Sequence, residues 1–319
     1  MISLVPGNNA LAKLFGLGET KLDPDTFLSA ITVAGIVQGS LLMFAPNLSR
    51  RMWGIKDKSI YTIAHLEYIG AGLLSMGVTC LCLFIVGGFD DTHKIVGWTL
   101  GVWALENASA LIKHYPSRAG GDPTGQVLWL FLIFEAIRAC FVSSAYTQQL
   151  LLAAYSLNAL NNFVAVVKPR TSANIYGYEK IKLNNDQLSM LRGFGYENLA
   201  MCTFLLSLLN GVEAPKALGF ASMVIVVHCA DGLVGKINSS IGNSGSIMFF
   251  FWMFFHASCA ANFVSRDVSY LMVGVTCIVT AMKVPSVLRF LLECPPIAEE
   301  ELFTKYSWWW KEAHMGIGI

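Results

Sequence analysis

The chain has 319 residues, of which 55% are hydrophobic and 13% charged, and its net charge is +1 at pH 7. That much apolar surface exceeds what a soluble core of this size hides, so the composition points to a polytopic membrane protein. A balanced charge, with no basic stripe interleaved with aromatics, excludes nucleic acid as a partner.

In chain order, residues 1–26 read as an N-terminal tail that ends in helix-start chemistry, Asp23-Pro24-Asp25-Thr26. About 20 apolar residues cross the hydrocarbon. On that measure the sequence predicts nine spans, near 27–45, 65–87, 95–113, 125–145, 149–168, 190–211, 217–236, 245–264 and 269–291. The remainder, 292–319, carries Tyr306 and Trp308 to Trp310 among several charges and reads as an amphipathic segment lying in the interface.

The spans repeat. Leu191 to Leu208 lies over Leu66 to Leu83 at one offset of 125, matching Leu66/Leu191, Gly70/Gly195, Leu74/Leu199, Met76/Met201, Leu81/Leu206 and Leu83/Leu208. Upstream, Pro46/Pro169, Trp53/Tyr176 and Gly54/Gly177 recur at offset 123; downstream, Phe141-Val142-Ser143 recurs as Phe263-Val264-Ser265 at offset 122. The expected architecture is all-α: two tandem parallel four-helix repeats, 27–145 and 146–265, a ninth helix at 266–291 and the interfacial tail. Lysines and arginines divide 5 against 14 between the two faces, with Arg138, Arg192 and Lys283 inside spans. The positive-inside rule then sets the N-terminus outside or lumenal and the C-terminus in the cytoplasm or its organellar equivalent.

Eight cysteines are present, but seven (Cys80, Cys82, Cys140, Cys202, Cys229, Cys259, Cys277) fall in apolar runs without a Cys-x-x-Cys pair, as packing residues do. No metal site is expected, and no phosphate loop, His-Glu-x-x-His or complete dinucleotide turn names a cofactor.

Ionisable groups in hydrocarbon point to function or to buried hydrogen-bonding glue. The chain has Glu106, Glu135, Arg138, Glu197, His228, Asp231, His256 and Lys283 in its spans. Glu106 and His228 occupy one position of the repeat, so a Glu–His pair across a pseudo-axis is expected, with Asp231 one turn on to orient the ring. Asn107 and Asn198 each follow a Glu and add neutral donors; Glu135 and Arg138 form an i, i+3 pair; His256 sits among aromatics that suit a planar ligand. Glu106, Asn107, Glu135, Glu197, Asn198, His228 and His256 are therefore the candidate ligand-binding residues, and Glu106, His228 and Asp231 the catalytic candidates. Gln38, Asn161 and Asn162 read as interhelical hydrogen-bonding amides.

The leading expectation is a binding or structural subunit that holds a hydrophobic ligand (lipid, isoprenoid or pigment) or a partner membrane chain within the bundle. The alternatives are a lipid- or isoprenoid-modifying enzyme using Glu106 and His228, and a carrier for protons or a small solute. Short loops favour the first.

Overall fold

The structure, a computed structural model, describes residues 23–86, 92–142 and 146–293. The described residues are helical, with no strand. The interfacial tail expected at 292–319 lies almost wholly outside them, as does most of the tail at 1–26.

Helix α1 (Pro24–Phe44) starts where expected: Asp23 accepts a hydrogen bond from Asp25 N at 3.3 Å, and Pro24 fills the first helical position, where no amide is missed. Pro46 ends the run and opens a seven-residue helix, α2 (Pro46–Met52), which Gly54 closes at φ 66°. Only glycine takes that left-handed backbone without strain. A proline that cannot extend the preceding ladder is preorganised to start the next helix.

The chain continues with α3 (Ile60–Val86), α4 (Thr92–Ile112), α5 (Tyr115–Arg118) and α6 (Thr124–Val142). Then follow α7 (Thr147–Val167), α8 (Pro169–Ile175), α9 (Asn185–Leu209), α10 (Ala214–Val234), α11 (Asn243–Phe263) and α12 (Arg266–Glu293). α8 is again a seven-residue helix opened by proline, and Gly177 follows it at φ 83°. α9 begins with a reciprocal capping box between Asn184 and Gln187.

Among the described residues, seven helices are long and apolar enough to cross a membrane: α1, α3, α4, α6, α7, α10 and α11. α9, at 25 residues, is not among them because Arg192, Glu197, Asn198 and other polar groups dilute its apolar surface. Those groups face inward, and α9 is the axis of the bundle, packed on α7, α10 and α3. In α12 the apolar part is Tyr270–Lys283. By contrast α6 is almost bare, with Ile133 and Cys140 its only buried residues, as expected of a helix whose other faces meet lipid.

The loops at 45–59, 113–123, 168–184 and 235–242 gather on one face. Gly242 N donates to Trp53 O at 3.1 Å, Asp122 N to Gly177 O at 3.4 Å, and Gln187 Nε2 to Ser59 Oγ at 3.0 Å.

Candidate functional site

Two cavities flank α9. The smaller, about 90 Å³, lies among α1, α3, α9, α10 and α11; the larger, about 350 Å³, lies among α3, α4, α6, α7 and α9. Both take a wall from each half of the chain.

In the smaller cavity His228 Nδ1 is 2.9 Å from Glu197 Oε1, with both side chains buried. Tyr196 stacks on the His228 ring at 5.1 Å and 15°, and Phe249 meets it edge-on at 5.2 Å. His256, across the same cavity, bonds through Nδ1 to Ser222 Oγ at 3.0 Å beside Trp252 and Phe255. The carboxylate on Nδ1 of His228 fixes that ring and its tautomer, and the hydroxyl on Nδ1 of His256 holds the second ring in place.

The expected Glu106–His228 pair is therefore not formed: His228 belongs to Glu197 on the neighbouring helix, a shorter reach than one across the bundle. Glu106 is completely buried and neither of its carboxylate oxygens has a hydrogen-bond partner. Asp231 does not orient His228 either. It binds Arg192, which also donates to Val166 O and lies over the Tyr196 ring at 5.8 Å. A guanidinium on the adjacent helix, always charged, outcompetes an imidazole one turn away.

The larger cavity holds residues that the sequence placed elsewhere or passed over. Phe194, from α9, is ringed by His65 (6.0 Å), Tyr68 (5.8 Å), Trp103 (6.4 Å) and Tyr176 (6.4 Å). Amides interleave with these rings. Asn107 Oδ1 accepts from Gln126 Nε2 at 3.4 Å, Gln126 Nε2 also donates to Tyr68 Oη at 2.9 Å, and Asn161 Nδ2 donates to Tyr176 Oη at 2.6 Å. Asn158 donates to Cys202 Sγ at 3.4 Å and Asn198 to Phe194 O at 3.1 Å. Asn161 and Asn162 thus bond to a tyrosine and to their own helix rather than bridging long helices. Tyr155 also lines this cavity, and its Oη is buried without a hydrogen-bond partner.

Among the described residues neither Lys nor Arg lines the larger cavity, and the one carboxylate is Asp122, held below the usual carboxylate range by its hydrogen bonds with Thr124. Burial pushes the phenols of Tyr176 and Tyr178 up to about 12, so both face the cavity as neutral groups. Three lining residues, Trp129 on α6, Leu157 on α7 and Ile175 on α8, are also exposed on the outer surface. They mark a lateral slot onto the apolar side of the bundle.

Glu135 and Arg138 do pair, at 2.9 Å, but on the exposed face of α6 and away from both cavities. The sequence reading also missed Glu67, fully buried and accepting from Lys113 Nζ at 2.7 Å and Tyr115 Oη at 2.6 Å. His65 and Glu67 stand at the very start of the expected span 65–87; α3 begins five residues earlier, at Ile60, which sets both more than a turn inside the helix. Among the described residues no group of three or more metal-ligating side chains occurs.

No protein-family model, curated protein or solved structure matches the chain.

Proposed function

We propose that the chain is a membrane-embedded binding protein that holds a hydrophobic ligand in the larger cavity, within a duplicated helical bundle. The observation that carries this reading is the cavity itself: about 350 Å³, aromatic and amide-lined, and open sideways between Trp129 and Leu157. Such a volume is in the range of small-molecule pockets, and a lateral slot suits a ligand that arrives from the bilayer.

The duplication is supported by reciprocity. α1, α2, α3, α4 and α6 have counterparts of similar length and order in α7, α8, α9, α10 and α11. The turn after α2 bonds the loop before α11, and the turn after α8 bonds the loop before α6. Lining positions also correspond: Gln38 with Asn161, Trp53 with Tyr176, Ile69 with Phe194, Ile225 with Trp103. With α9 and α12 counted as spans, nine helices and an external N-terminus follow, and the cation-rich loop face becomes the inner one.

Native mass spectrometry of the gently purified chain tests the binding reading. A bound small molecule is expected, with occupancy lost in Leu157→Trp, which fills the exposed slot without touching the core. A bare chain in both proteins sinks it.

A partner membrane chain is a second reading, favoured by one observation. The Glu135–Arg138 pair stands exposed on α6, where contact with lipid is costly and contact with a polar helix is not. Crosslinking from Phe134→Cys to a second protein in the native membrane, lost in Glu135→Ala, is its test.

A further inference from the structure

Resting on the binding reading, the larger cavity also specifies what kind of ligand it takes. We infer that it receives an uncharged aromatic ring bearing oxygen substituents on an apolar tail, as in a prenylated quinone, and not the charged headgroup of a phospholipid.

Three features carry this. First, the walls are flat: Trp103, Phe194, Tyr68 and Tyr176 present ring faces and edges around one space, the surroundings in which a planar group gains most from stacking. Second, apart from the carboxylate of Asp122, the polar lining is made of neutral donors and acceptors, with Asn107, Gln126 and Tyr68 on one side and Asn158, Asn161 and Asn198 on the other. A phosphate would meet no lysine or arginine among the lining residues, and an anion desolvated without a counter-charge is strongly disfavoured. Third, Tyr155 Oη is a buried hydroxyl without a partner. Leaving such a donor unmade is costly, and a ligand carbonyl oxygen would satisfy it. The exposed slot at Trp129, Leu157 and Ile175 gives the tail its way out to the bilayer.

The test measures equilibrium binding of tritiated decyl benzoquinone to the full chain in mild detergent, with decylbenzene and didecanoyl phosphatidylcholine as competitors. Saturable binding that neither competitor displaces is expected. Tyr155→Phe should weaken it about tenfold, the loss of one hydrogen bond, while the unliganded variant unfolds no more easily because it removes a group with no partner. Leu157→Trp should abolish it. Displacement by decylbenzene, or full affinity in Tyr155→Phe, would show that the tail alone is read; the class of ligand would then be wrong and the binding reading intact. Displacement by the phospholipid alone would likewise overturn the class. If no probe binds and the purified chain is bare, the binding reading itself falls.

Discussion

The helix pairs α1–α3 and α7–α9 are alike in length and order, yet they pack by different means. On α1 and α3 the contact is backbone on backbone: a Cβ at Gly39 would lie 2.4 Å from Leu74 N, and one at Gly35 would lie 2.8 Å from Gly77 Cα. On α7 and α9 the residues at the sequence offsets of 123 and 125 from Gly35, Gly39 and Gly77 are Asn158, Asn162 and Cys202. Asn158 reaches Cys202 at 3.4 Å, so side chains stand between the helices there, while a close backbone approach is kept at Gly195, where a Cβ would lie 2.9 Å from Asn162 O. The looser pair borders the cavity of about 350 Å³, and the tighter pair borders the one of about 90 Å³. Small residues bring helices together in membranes, and here their replacement leaves room beside them.

The two halves also invert their charges. α3 supplies the acid Glu67 to Lys113, whereas α9 supplies the base Arg192, at the position matching Glu67, to Asp231. The second pair is the more enclosed, with side chains 14% and 10% exposed against 39% for Lys113.

That difference gives the largest expected effect. Arg192→Met strands Asp231 and should cost on the order of 3 to 5 kcal/mol in reversible unfolding, with Arg192→Met/Asp231→Leu recovering most of the loss. Glu67→Gln, which leaves Lys113 free to reach water, should cost about 1 to 2 kcal/mol. Equal losses would erase the distinction between the halves.

Next is the packing contrast. Gly39→Asn puts the second half's residue into the first and forces α1 off α3, at about 2 to 3 kcal/mol. Asn162→Gly removes an amide bonded only to its own helix and should cost about 1 kcal/mol. Gly101→Ala, with nothing within 4 Å of the new Cβ, should be neutral or stabilising by under about 1 kcal/mol.

The smallest effect is a coupling. Thermal unfolding of Glu197→Gln, His228→Phe and the double variant should be non-additive by about 1 kcal/mol, whereas Glu106→Gln with His228→Phe should add. Non-additivity in the second cycle would restore the pairing across the repeat position.

The helical class and the order of elements were legible because apolar run length and proline–glycine punctuation are local properties: Pro46, Gly54, Pro169 and Gly177 end and turn the chain where they stand. The candidate residues were legible as a set but not as partners. Glu197 and His228 are 31 positions apart on adjacent helices, and nothing in either run says which face meets which. Glu67, His65 and Tyr155 escaped for another reason. Glu67 and His65 sit near a span end, where a polar atom looks like an interfacial anchor until the packing shows it buried, and a tyrosine inside an aliphatic run, such as Tyr155, looks like a packing residue.

Because each cavity draws walls from residues on both sides of position 145, neither half encloses a cavity alone. During synthesis the first half enters the membrane carrying Trp103 and Gln126 on an open flank, and that flank stays unroofed until α7 and α9 emerge from the ribosome. A nascent chain stalled in this region would present half-built walls on that open flank.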